Sequence, residues 1–154
     1  MRLLVVSDTH GDFYNLNKVI LAQPKAEVII HCGDGEQQVE DCKSVYSNRM
    51  FLSVCGNCDF CSSKPPTIIR NIAGKTVFIT HGHMFGVKSD TEQLVSKAKE
   101  HGAEILLFGH THQPLLDYRD GLYILNPGSL KGLDGTYGIV DITSAGIVTN
   151  IIHI

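Results

Sequence analysis

Five short segments of this chain carry metal-type ligands, and each follows an apolar stretch that reads as a β-strand. The segments are Asp8-Thr9-His10, Gly33-Asp34, Gly56-Asn57-Cys58-Asp59, His81-Gly82-His83 and Gly109-His110-Thr111-His112. The apolar stretches before them are 3–6, 28–30, 51–54, 77–79 and 105–108. One histidine after a strand carries no information. Five ligand-bearing turns at the carboxyl ends of their strands gather at one sheet edge, where α/β proteins place their sites. The expectation is a metal centre there.

Around these strands the pattern predicts a strand over 3–7 and a helix over 13–23 with Asp12 as N-cap, then a strand over 27–31 and a helix over 36–46. A strand over 50–55 leads to a loop closed by Pro65-Pro66, and 67–72 and 75–80 read as a hairpin joined by Ala73-Gly74. A helix over 91–101 starts with two overlapping capping boxes, Ser89 with Glu92 and Asp90 with Gln93, and Gly102 ends it as a C′ glycine. A strand over 104–108 and two hairpins, around Asp120-Gly121 and Ser144-Ala145-Gly146, complete the chain. The βαβα first half predicts parallel strands and the last third antiparallel ones, in one α/β domain over 1–154.

Composition narrows the partners. Of 154 residues, 43% are hydrophobic, enough to bury a real core. The net charge of −3 comes with scattered Lys and Arg, so no basic stripe tracks a nucleic-acid backbone. No signal peptide is visible after Met1-Arg2, and no run approaches the ~20 apolar residues that span a bilayer, so no membrane partner and a cytoplasmic location are expected. Cys32, Cys42, Cys55, Cys58 and Cys61 are an odd number, which argues against a disulfide framework. Cys55, Cys58 and Cys61 form two overlapping C-x-x-C pairs, but Pro65 stands where a ferredoxin-type run needs its next Cys.

The ligands sort by chemistry. In an extended Asp8-Thr9-His10 both ligands point the same way and can share one ion. Asp34 can offer one oxygen to each of two metals, and Gly33 allows close backbone approach. Asn57 adds a neutral oxygen, and His81, His110 and His112 add imidazole nitrogens. Such a set, with no required thiolate, suits Mn²⁺, Fe, Zn²⁺ or Ni²⁺ better than Ca²⁺ or Mg²⁺. Asp8, His10, Asp34, Asn57, His81, His110 and His112 are too many for one ion that keeps an open position. Two divalent ions sharing Asp34 would use them all. The remaining positive charge would attract a phosphate ester and stabilise its transition state.

These five motifs, in this order, resemble the calcineurin-like metallophosphoesterase superfamily. The short chain, the Gly-Asn-Cys-Asp spelling and Asn126-Pro127-Gly128-Ser129 resemble its compact YfcE-type phosphodiesterase branch, over residues 3 to about 140. The resemblance implies an αββα sandwich, two mixed β-sheets face to face with helices outside. It puts one metal on Asp8, His10, Asp34 and His112 and the other on Asp34, Asn57, His81 and His110. It further implies Mn²⁺ as the usual ion, with Fe, Zn²⁺ and Ni²⁺ also found, and a metal-bridging hydroxide attacking phosphorus in line with the leaving alkoxide. One position departs: many members carry His between Asn and Asp of the third motif, and here it is Cys58. A thiol of pKa ~8.5 matches a leaving-group acid poorly, so activity should favour good leaving groups.

Asp34, Asn57, Asp59 and His83 are the residues expected to serve catalysis. Asp59 is expected to orient His10 or another imidazole through its second nitrogen, with capping that stabilises its loop as the alternative. His83 either meets the substrate phosphate or satisfies loop carbonyls. His31 reads as a buried group behind the ligands in preference to a ligand, Thr111 as structural, and Asn126 and Ser129 either as supports for the metal loops or as parts of a plain Pro-Gly turn. His101 and His153 lie outside the site. Lys88, Lys131 and Arg119 could touch phosphate, although solvated roles fit each better.

Three function classes follow. The first is a binuclear-metal phosphodiesterase, or phosphomonoesterase, acting on a small soluble phosphate ester. The second is a catalytically weak scaffold on the same fold, as in the retromer subunit that shares it; the full ligand set argues against decay. The third is a redox or iron–sulfur protein built on Cys55, Cys58 and Cys61. Edge strands in the C-terminal hairpins would allow a homodimer or higher homo-oligomer.

Overall fold

Leu3 and Val5 face one side of their strand and Leu4 and Val6 the other, and all four are fully buried. A strand covered on both faces must lie inside a layered structure. The computed structural model describes residues 1–154 and shows those layers. Its elements run β1 (Arg2–Val6), α1 (Phe13–Ala22), β2 (Ala26–His31), α2 (Glu36–Val45), β3 (Met50–Ser53), β4 (Thr67–Ile72) and β5 (Lys75–Thr80). They continue α3 (Glu92–Glu100), β6 (Ile105–Leu107), β7 (Pro114–Arg119), β8 (Leu122–Pro127), β9 (Thr136–Thr143) and β10 (Gly146–His153).

The strands form two five-stranded mixed sheets, in the orders β10-β9-β1-β2-β3 and β4-β5-β6-β8-β7. Leu3, Val5, Val28 and Ile30 from one sheet meet Val77, Ile79, Ile105 and Leu107 from the other in the inter-sheet core. Leu4, Val6 and Ile29 point outward against Leu16, Val19 and Ile20 of α1 and Cys42 of α2. Phe78, Leu106 and Ile124 on the far side take Leu94, Val95 and Ala98 of α3. This is the expected αββα sandwich. The inter-sheet cluster is the largest, with 15 buried residues, so the hydrophobic driving force concentrates there. At about 2 kcal/mol per buried aliphatic side chain, that core fixes the two sheets against each other. It thereby holds the ends of β1, β2 and β3 beside the ends of β5 and β6.

Local signals explain most boundaries. Asp12 caps α1, its Oδ1 accepting from the Asn15 amide at 2.9 Å. Gly102, at φ +66°, follows α3 in a Schellman turn: its amide bonds Lys99 O (2.9 Å) and that of Ala103 bonds Ala98 O (3.0 Å). The capping boxes expected for α3 do not form. Thr91 is the N-cap and makes no side-chain bond, while Asp90 Oδ1 accepts from the Glu92 amide two residues on (2.9 Å). A short acidic side chain reaches that near amide in an Asx turn before it can serve the helix. The last third is also not wholly antiparallel. β8 runs parallel to β6, and β7 takes the sheet edge. β8 is buried almost throughout whereas β7 alternates, which suits an inner and an outer strand respectively. No helix is long and apolar enough to cross a membrane.

Candidate metal centre

The ligand-bearing turns leave β1, β2, β3, β5 and β6 at one edge of the sandwich, and their donor atoms form two groups. In the first, His112 Nε2 stands 3.1 Å from Asp8 Oδ1 and 3.2 Å from His10 Nε2. His10 Nε2 lies 3.7 Å from Asp8 Oδ1 and 3.9 Å from Asp34 Oδ2. In the second, His81 Nε2 lies 3.1 Å from Asn57 Oδ1, 3.2 Å from His110 Nδ1 and 3.4 Å from Asp34 Oδ2. Neighbouring donors bound at ~2.1 Å to one ion stand about 3.0–3.4 Å apart; the second group and the His112 contacts have that spacing, while His10 stands wider from Asp8 and Asp34. Asp8 Oδ1, fully buried, has no hydrogen-bond partner. An orphaned carboxylate oxygen facing two imidazole nitrogens is costly unless a cation completes it. The residues therefore fit a pair of divalent ions.

The remaining bonds aim these donors. Asp8 Oδ2 accepts from Ser7 Oγ (2.6 Å) and the His110 amide (3.1 Å), which turns Oδ1 toward the site. His81 Nδ1 faces the Cys32 carbonyl at 2.7 Å, so a proton belongs there and Nε2 is the nitrogen turned to the site. Asp34 Oδ1 accepts from the Cys58 amide at 2.7 Å. The contacts of Asp34 to His10 and His81 are both made by Oδ2. Burial pushes the Asp34 carboxyl up, but His81 and the Cys58 amide more than reverse this and hold it well below the usual carboxylate range. Burial, then the neighbouring His81, lowers His83 and His110, favouring the neutral imidazole that binds a metal.

The turns themselves are strained. Eight non-glycine residues have positive φ, and five are Asp8 (53°), His10 (44°), Asp34 (60°), His110 (68°) and His112 (60°). Each such residue costs on the order of 1 kcal/mol or more, a strain that clusters at functional sites. Asp8 and His10 are thus not extended, as their spacing had suggested, and converge through left-handed turns instead. Gly56 has to lack a side chain, because a β-carbon there would overlap Asp34 Oδ1.

A family model described as the calcineurin-like phosphoesterase superfamily domain matches residues 1–145. The chain belongs to the calcineurin-like phosphoesterase superfamily. Within it, the chain is 32% identical over 133 residues to the probable metallophosphoesterase YsnB of Bacillus subtilis, covering 85% of this chain and 76% of that one. It is 26% identical over 170 residues to the phosphodiesterase YfcE of Escherichia coli, covering 92% and 88%. A crystal structure of a Streptococcus pneumoniae protein, described as a predicted phosphoesterase, superposes with a TM-score of 0.84 at 26% identity, covering 99% of this chain and 88% of that one. These likenesses put the chain in the compact YfcE-type branch of the phosphoesterase superfamily.

Beside that family's motifs, this phosphoesterase domain uses its other polar residues as braces. Asp59 does not orient an imidazole. Its carboxylate accepts four backbone amides, Asp34 (2.8 Å), Gly35 (2.9 Å), Glu36 (3.0 Å) and Gly56 (2.8 Å). It ties the third-motif loop to the Gly33-Asp34 turn and caps α2, whose own N-cap Gly35 makes no side-chain bond. His31 lies behind the turn: Nδ1 accepts from the Gly33 amide (3.2 Å), so Nε2 donates to Thr9 Oγ1 (3.2 Å). Burial lowers its pKa to about 4. Ser129 Oγ donates to Asp8 O (2.9 Å), and Asn126 Nδ2 donates to Gly109 O and Thr111 Oγ1 (both 2.9 Å). Ser7, Thr9 and Gln38, which accepts from Thr9 Oγ1, escaped the sequence reading. Polar residues directly after an apolar run were the one available signal for Ser7 and Thr9.

Cys58 is exposed, with its Sγ within 4.8 Å of donor atoms of His10 and Asp34, and it accepts from Asn57 Nδ2 at 3.3 Å. Burial, then Asp34, raises its pKa. Cys55 and Cys61 take no part in the clusters of metal-type donors, and all five thiols are free, so no thiolate cluster assembles. His83 sits on a single 3₁₀ turn, its ring centroid 5.4 Å from His81 and 6.1 Å from His110, with Nδ1 buried and unbonded. A cleft of about 250 Å³ opens beside the first group of donors, lined by His10, Asp34, Glu36, Gln38, Cys58 and Asp59.

Proposed function

We propose that this protein is a binuclear-metal phosphodiesterase acting on a small soluble phosphate diester. One observation carries the reading: two groups of donors share Asp34 Oδ2, with Asp8 Oδ1 buried and unpartnered between two imidazoles. Asp8, His10, Asp34 and His112 would hold one ion, and Asp34, Asn57, His81 and His110 the other, with Mn²⁺ as the ion we expect and Fe, Zn²⁺ or Ni²⁺ as substitutes. When bound, such ions supply positive charge at the phosphoryl oxygens and ionise water near neutral pH for in-line displacement at phosphorus.

The chain's own contribution is positioning. Ser7, the Cys32 carbonyl and the Cys58 amide fix Asp8, His81 and Asp34, so no reorganisation is needed when charge builds on the ester. His83 is the neighbouring imidazole that we assign to contact with the phosphate. Cys58 stands next to His10 and Asp34 with its pKa raised, a weak acid for a departing alkoxide. Diesters with good leaving groups are therefore the favoured substrates. Five free thiols suit a reducing compartment, and we place the activity in the cytoplasm.

The test is hydrolysis of bis-p-nitrophenyl phosphate against p-nitrophenyl phosphate after metal stripping and Mn²⁺ re-addition, with Asp34→Asn as control. Metal-dependent cleavage that prefers the diester and is lost in the variant is expected. No turnover of either ester, with roughly two ions bound per chain, would replace this reading with the scaffold one.

A further inference from the structure

A second and larger groove, about 420 Å³, lies on the other flank of the donors. Its apolar floor is Val87, Phe108 and Leu115, the first two almost fully buried, and Thr111 and Gln113 add polar groups. It borders the metal loops directly. Thr111 stands between His110 and His112, and Val87 packs so closely on Gly82 that a β-carbon there would lie 2.9 Å from its Cγ2. The one charged residue in its lining is Lys88, exposed and with no carboxylate partner. Arg119, by contrast, is neutralised by Asp117 (2.6 Å) and Glu92 (2.7 Å). The two flanks thus differ in character: the smaller cleft carries the unpaired carboxylate of Glu36, and the larger groove carries one unpaired cation and no acid.

We propose that this groove is the subsite for one arm of the diester, and that it selects arms with an apolar body and a second anionic group, which Lys88 binds. The inference rests on the phosphodiesterase reading and deepens it. With phosphorus at the donors, an anionic arm is repelled by the acidic cleft and drawn to the Lys88 side, so charge sets the direction in which the ester lies. The groove volume falls in the range of small-ligand sites, and its floor shelters an aromatic or aliphatic arm from water.

Three p-nitrophenyl phosphodiesters test this, with methyl, phenylethyl and 4-carboxyphenylethyl as the second arm and the leaving group held constant. KM should fall about tenfold from methyl to phenylethyl as apolar area is covered. It should fall a further two- to fivefold, roughly, with the carboxylate, the scale of an exposed ion pair, while kcat changes little. Lys88→Met should erase only the carboxylate's advantage, and Lys88→Arg should keep it. Leu115→Asp should erase the advantage of the phenyl arm. Equal KM for all three esters at normal turnover would overturn the groove assignment and leave the phosphodiesterase reading standing. If no ester is turned over, that reading fails. Calorimetric Kd values for the three esters then decide the groove alone, equal values overturning it.

Discussion

Asp59→Ala should cost about 3 kcal/mol of folding stability in metal-free protein, although no ligand is touched. The wild-type carboxylate accepts four amides at 2.8–3.0 Å from two separate loops. Hydrogen bonds to a charged group contribute about 1.5–3 kcal/mol each, so four would sum to at least about 6 kcal/mol. Asp59 is half-buried, and water can reach some of the released amides, which brings our figure to about half that. For a chain of 154 residues this corresponds to a Tm lower by about 6–12 °C. Asp59→Asn should lose about 2 kcal/mol, because its amide group would face two N–H donors. The pH dependence follows from the same bonds. Burial opposes ionisation of Asp59, but the amides outweigh it and depress its pKa. Its contribution is therefore complete above the unfolded carboxyl's pKa of about 3.9 and is lost as pH falls through the lower folded value. Urea unfolding of chelator-treated protein, followed by circular dichroism at pH 7 and below pH 4, measures both effects. A loss under about 0.5 kcal/mol at pH 7 would refute the bracing role. A fall in metal affinity alone would restore the imidazole-orienting role instead.

Three further outcomes are expected. His31 has its pKa lowered from 6.5 to about 4, so the unfolded chain binds a proton across that window that the folded chain refuses. Stability should fall as pH drops from 6.5 toward 4, by about 3 kcal/mol in full, and urea midpoints for His31→Gln should show a shallower slope than wild type. Cys58→His should speed poor-leaving-group esters by about tenfold or more while changing p-nitrophenyl esters little; equal rates for both classes would show that Cys58 has no bearing on leaving-group protonation. Gly56→Ala forces a β-carbon onto Asp34 Oδ1, so it should abolish metal binding and cost about 1–3 kcal/mol, read by metal analysis and thermal unfolding.

Much of the centre could be read from sequence because strand periodicity and turn position together fix which residues reach one sheet edge. Asp8, Asp34, Asn57, His81 and His110 follow strands whose apolar character depends on burial, and that signal is local. The two-sheet architecture came from the family resemblance, since local pattern does not say which strands become neighbours. β8 shows this: its apolar run marks it as buried, yet its parallel place beside β6 follows from how the β7–β8 hairpin folds over the sheet.

Other features have no local signature at all. Nothing around Asp34 tells that the Cys58 amide, 24 positions away, occupies Oδ1 and leaves Oδ2 to face both groups. The left-handed turns at Asp8, His10, Asp34, His110 and His112 are disfavoured locally and are held by the structure around them. Asp59 sits in the third motif as though to serve an imidazole, but four amides surround it and take its oxygens. By itself, then, the sequence determined which residues stand at the strand ends and which donor atoms they offer, because side-chain chemistry and hydrophobic period are properties of short segments. Only the tertiary structure decided which Asp34 oxygen takes an amide, which carboxylate braces and where the groove's unpaired cation lies, because each depends on amides and charges brought together from distant parts of the chain.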